Sequence, residues 1–169
     1  FGTSRAQARQ FVNHGQFEVN GKKVTAIGEE AFAGMCNLTK LTVPFIGESR
    51  NVKTDTEKAL LGYWFSTYDD HDCMYNCYSH LEEIRQYYDD EYYFYRSYKP
   101  RYFKELTVTD GILRSNVLKG YGLTILNIGA NVAGIEEYFA HNLALEEVNF
   151  DENIKISNIP DNTFTKNKY

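Results

Sequence analysis

Cysteine is scarce: three in 169 residues, too few for the paired framework that staples a small secreted domain. Long apolar runs are absent. None approaches the roughly 18 residues of a membrane-spanning helix. An excess of positive charge is missing too. Lys and Arg total 18 against 23 Asp and Glu, a net charge of -5. A phosphate-binding surface needs a basic face, so this balance predicts no nucleic-acid partner. The opening residues Phe1-Gly2-Thr3-Ser4-Arg5 lack the apolar core of a signal peptide. Catalytic signatures are missing as well. His14, His71, His80 and His141 accompany no nucleophile elbow. Gly120-Tyr121-Gly122 lacks the third glycine of a phosphate loop. The expectation is a protein that is not an enzyme and needs no cofactor.

Apolar residues make up 43% of the chain, enough to fold rather than stay disordered. The length predicts one domain. The strongest signal is internal self-similarity. The pattern apolar-x-x-apolar-x-apolar occurs as Leu38-Thr39-Lys40-Leu41-Thr42-Val43 and as Phe103-Lys104-Glu105-Leu106-Thr107-Val108. It recurs as Leu123-Thr124-Ile125-Leu126-Asn127-Ile128 and as Leu145-Glu146-Glu147-Val148-Asn149-Phe150. Each copy closes on the period-2 alternation of a half-buried strand. The last three copies are 20 and 22 residues apart, a leucine-rich-repeat period.

A second motif accompanies the strands. It reads Val24-Thr25-Ala26-Ile27-Gly28-Glu29-Glu30-Ala31-Phe32, then Val132-Ala133-Gly134-Ile135-Glu136-Glu137-Tyr138-Phe139, then Ile156-Ser157-Asn158-Ile159-Pro160-Asp161-Asn162-Thr163-Phe164. Its aromatic can fold back over the core through a turn or short helix. Together the motifs predict an α/β solenoid: a leucine-rich-repeat stack with a short parallel sheet, short helical or irregular returns and a β-rich insertion. The expected units are about 20–44, 103–111, 112–131, 132–154 and 155–169, in a single domain 1–169 with an insertion at 45–102. Cys36 reads as a small core hydrophobe. The acidic pairs Glu29-Glu30, Glu136-Glu137 and Glu146-Glu147 recur with the motifs and read as solvated faces.

Val24, Thr25, Ile27, Gly28, Ala31, Phe32, Gly34, Leu38, Leu41, Val43 and Pro44 fall in the order of one repeat unit. In this the stretch 24–44 resembles the BspA-like leucine-rich repeat family of bacterial surface proteins. Met35 takes the place of that unit's usual Cys, with Cys36 next. The resemblance implies a parallel-sheet solenoid and an exported, cell-surface or secreted adhesion protein. It carries over no catalytic residue.

The insertion is too long and too aromatic for a plain loop. Many of the chain's 14 tyrosines crowd between Tyr87 and Tyr102. Tyr87 to Tyr95 reads as a β-ribbon turning at Asp89-Asp90-Glu91. Tyrosine pairs an apolar ring with a polar tip, so Tyr88, Tyr92, Tyr93, Tyr95 and Tyr98 are candidate ligand contacts. They could equally cover a small core of the insertion itself. His71, Cys73, Cys77 and His80 are of metal-ligating type but not at a standard zinc spacing. A metal, a Cys73–Cys77 disulfide and unpaired surface residues all fit them. The functional expectation is a non-catalytic binding module, extracellular or on the cell surface. Its partner would be a protein or glycan, with no nucleic acid and no membrane insertion. A structural spacer in a larger surface protein is the alternative, and a metal site in the insertion a third reading.

Overall fold

The computed structural model describes residues 18–19, 22–65, 80–88, 93–141 and 144–167. Eight strands occur among the described residues: β1 (Glu18–Val19), β2 (Lys22–Lys23), β3 (Lys40–Val43), β4 (Leu81–Tyr87), β5 (Phe94–Pro100), β6 (Glu105–Leu113), β7 (Ile125–Ile135) and β8 (Glu147–Phe150). Two 3₁₀ turns, Glu57–Ala59 and Leu61–Trp64, precede β4.

The four alternating stretches become one parallel sheet, ordered β3-β6-β7-β8. Leu41, Leu106, Leu126 and Val148 stand in one rung, and Val43, Val108, Ile128 and Phe150 in another. Leu41, Val43, Leu106, Val108, Leu126 and Ile128 are buried. The alternate positions carry a polar ladder instead. Asn127 donates to Thr107 Oγ1 (3.1 Å) and Glu105 Oε1 (3.2 Å), and Asn149 donates to Asn127 Oδ1 (3.0 Å).

This architecture corrects the expected α/β solenoid. No α-helix occurs among the described residues, so of the expected short helical or irregular returns only turns and extended chain are present. Val132 to Ile135 is the second half of β7. It pairs with β6 as far as Leu113↔Ile135. Branched Val132 and Ile135 around Gly134 favour extended chain over helix. Elsewhere the chain turns at residues of positive φ, namely Glu30, Asn116, Tyr138 and Asn162, which no right-handed helix accommodates. The described residues form three separate sheets, one parallel and two antiparallel two-stranded ribbons, rather than a leucine-rich-repeat stack.

Register shifts interrupt the β6–β7 ladder between Val108 and Asp110 and between Gly111 and Ile112. Glycine is required beside the first shift. A Cβ on Gly129 would lie 2.8 Å from Thr109 Cα.

Rings pack the stretch up to Phe65 against its neighbours. Phe32 meets Trp64 edge-on at 5.7 Å, and Phe65 lies 5.8 Å from both Phe103 and Tyr121. Trp64 Nε1 donates to Gly47 O (3.1 Å), so the indole is buried with its one donor satisfied. Cys36 is buried among the core hydrophobes, as its reading expects, and is disulfide-bonded as well. The chain's other two cysteines lie outside the described residues.

The β4–β5 ribbon is fastened by buried polar contacts. Gln86 accepts the Gly62 N–H at 2.7 Å and donates to Val117 O (3.0 Å) and Lys119 O (3.1 Å). Ser97 Oγ lies 3.3 Å from the Tyr121 hydroxyl. Each group is satisfied, as burial demands.

Candidate nucleic-acid interface

Two stretches carry clustered positive charge along an otherwise acidic sequence. The first is the N-terminal stretch. Its cations through residue 23 are Arg5, Arg9, Lys22 and Lys23, against the single carboxylate of Glu18. The net charge of -5 therefore averages a basic start with a more strongly acidic remainder. Locally, β1 and β2 pair antiparallel, with Val19↔Lys22 and Glu18↔Lys23. Asn20-Gly21 between them is the dipeptide that two-residue hairpins favour. Just beyond β2, Ala26 bridges to Ser49 and Ile27 N–H donates to Glu48 O (2.8 Å). Ile27 is a core residue, so the hairpin is joined closely to the folded body.

The second is the β4–β5 ribbon. Directly opposed residues share a face. One face carries Glu82/Lys99, Ile84/Ser97 and Gln86/Tyr95, and the other Glu83/Tyr98, Arg85/Arg96 and Tyr87/Phe94. Ile84, Gln86, Ser97 and Lys99 are buried, so the first face looks inward. Lys99 is enclosed with its amine 3.1 Å from Glu82 Oε2. Burial pulls its pKa below the ordinary value of 10.5, against the opposing pull of Glu82.

The tyrosines proposed as ligand contacts are split by this geometry. Tyr95 is half-buried on the inward face and donates to Glu29 Oε1 (3.0 Å). Burial, then the Glu29 contact, drives its hydroxyl far above the ordinary value. Tyr98 lies on the outward face. Tyr88 and Tyr93 stack at 6.4 Å with a 16° tilt at the ribbon's end, where Tyr93 is 59% exposed. Tyr92 and the acidic turn lie outside the described residues. Among the described tyrosines, Tyr88 and Tyr93 pair at the ribbon's end, while Tyr95 and Tyr98 lie on opposite faces.

Of the metal candidates, His71, Cys73 and Cys77 lie outside the described residues. His80 is half-buried, edge-on to Tyr102 at 6.1 Å. Among the described residues no group of three His, Cys, Asp or Glu is placed to hold a metal. Nor is any helix among them long and apolar enough to cross a membrane.

Comparison with known proteins finds a similarity at the basic start. Residues 1–30 match the S4 domain. Two relatives match over the same kind of short span. One is the small ribosomal subunit protein uS4A of Clostridium novyi, 62% identical over 34 residues, which are 20% of this chain and 16% of the relative. The other is the small ribosomal subunit protein uS4 of Gloeobacter violaceus, 72% identical over 25 residues, 15% of this chain and 12% of the relative. The chain therefore spans less than a fifth of the length of the relatives it matches. No solved structure matches.

These matches overturn the BspA-like leucine-rich-repeat resemblance. With it fall the cell-surface adhesion role, the extracellular location and the exclusion of nucleic acid. The matched stretch holds Arg5, Arg9, Lys22 and Lys23, whose charge the whole-chain total conceals. Two signals were there to find: the charge asymmetry between the start and the remainder, and Asn20-Gly21 between Val19 and Lys22.

Proposed function

We propose that this chain binds RNA through its N-terminal stretch, without a catalytic step, and works in the cytoplasm. The observation that carries the reading is the S4-domain match over residues 1–30. The matched relatives are named as small-ribosomal-subunit proteins, parts of an RNA-containing particle. Charge supports it: four cations against one carboxylate through residue 23 suit a phosphate backbone, whose condensed counterions they would release. The partner class is structured RNA, and the ribosome is the first candidate source. The acidic remainder would serve as a body that holds the hairpin, through the Ala26–Ser49 bridge and the Ile27 contact.

The test is fluorescence anisotropy of a labelled RNA hairpin with the full chain, across a salt series. Binding should weaken steeply as salt rises. Lys22→Ala should reduce the slope by about one. A salt-insensitive affinity, or one equal for Lys22→Ala, would count against the reading.

A further inference from the structure

The outward face of the β4–β5 ribbon bears three rungs in succession: Glu83 with Tyr98, Arg85 with Arg96, and Tyr87 with Phe94. Successive rungs on one face are about 7 Å apart. Rings and guanidiniums therefore alternate along an exposed strip. Arg85 and Arg96 are half in water, with side chains 54% and 50% exposed. Phe94 is exposed and lies 5.6 Å from the Tyr87 ring. The Arg85 guanidinium carbon sits 5.4 Å from the Phe94 centroid, and Lys119 Nζ 5.9 Å from the Tyr87 centroid. One guanidinium and one ammonium thus lie by rings, with Arg96 and Tyr98 on the same face, in a chain that is acidic beyond its first residues. One carboxylate, Glu83, is shared between Arg85 at 2.9 Å and Arg96 at 3.9 Å.

We propose that this face is a second nucleic-acid contact, binding single-stranded RNA by stacking bases on Phe94, Tyr87 and Tyr98 while Arg85, Arg96 and Lys119 meet the phosphates. Exposed rings alone would suit a sugar or an apolar partner. The interleaved cations favour a ligand that offers flat rings and negative charge in regular alternation, which single-stranded RNA does. Glu83 occupies the two guanidiniums in the absence of ligand and competes with phosphate for them. The face is independent of the N-terminal stretch: it rests on ribbon geometry and not on the S4-domain match.

The test uses the full chain and a labelled oligouridylate, which has no secondary structure. Phe94→Ala should weaken binding about five- to a hundredfold, the range for removing one stacking ring. Glu83→Gln should tighten it several-fold by releasing Arg85 and Arg96, an effect that loss of folding cannot mimic. Neither variant should change affinity for the RNA hairpin held by the N-terminal stretch. If Phe94→Ala and Glu83→Gln both bind oligouridylate like the unaltered chain, the ribbon is not an RNA surface. If Arg96→Glu abolishes binding while Phe94→Ala leaves it intact, the face is a charge patch for any polyanion and the stacking proposal is wrong. Loss of hairpin binding on reversing Arg5 and Arg9, with the oligouridylate responses retained, would separate the two sites.

Discussion

Residue by residue, the molecule is held by apolar rungs and a few costly exceptions. Leu41, Leu126 and Phe139 are almost wholly buried. Each truncation to Ala should lower stability by about 2–5 kcal/mol in a thermal or denaturant melt. Tyr138 is an exception of backbone. It sits at φ 59, where a ringed residue is strained and Asn is tolerated. Tyr138→Asn should therefore stabilise the chain by roughly 0.5–1 kcal/mol. Lys99 is an exception of charge. Its amine is buried against a half-exposed Glu82, and burial lowers its pKa from 10.5. Between the folded value and 10.5 the unfolded chain binds more protons, so stability rises with pH across that window and is flat below it. Lys99→Met should remove this rise and be neutral or stabilising at pH 7, since replacing a buried charge by an apolar chain often is. These core positions were legible because period-2 alternation exposes them directly. Lys99 was not, because nothing local distinguishes a lysine folded inward from one in water.

The elements are where the sequence misled most. The strand motifs at 41–43, 106–108, 126–128 and 148–150 do lie in paired strands. The motif that accompanies the strands was read as one kind of return, yet its first half takes different forms. At 132–135 it extends β7, while at 24–27 and 156–159 it lies outside the named strands; its second half is turn in all three copies, at 29–32, 137–140 and 161–164. The difference lies in partners. The β7 extension exists because Gly111, Ile112 and Leu113 of β6 are there to pair with it. Such pairing is tertiary and invisible to periodicity. Gly129 lets the two strands close at the shift. Gly129→Ala should cost about 1–3 kcal/mol, since the intruded atoms are Thr109 backbone. Gln86→Leu should cost about 1–3 kcal/mol by stranding the Gly62 N–H in the interior. Hydrogen exchange should then show the β4–β5 amides losing protection before those of β6 and β7.

At the scale of the whole molecule, charge is divided, and that division governs the function proposed. An average of -5 suggested that nucleic acid was excluded, although the first 23 residues hold four cations and one carboxylate. Averaging over a chain hides any site smaller than the chain. The repeat motifs begin at Val24, so most of the stretch that matches a known domain, 1–30, lies ahead of them and carries no such signal. The second surface proposed lies in the tyrosine-rich insertion, where strand alternation decides which rings face water. Of its candidates, Tyr98 faces out and Tyr95 in. The central claim is that the basic N-terminal stretch binds RNA. Its most direct test is the affinity of the full chain for an RNA hairpin before and after Arg5→Glu, Arg9→Glu, Lys22→Glu and Lys23→Glu are combined. The account predicts at least a hundredfold loss at moderate salt, with the fold retained by circular dichroism. Unchanged affinity in a folded variant would contradict it.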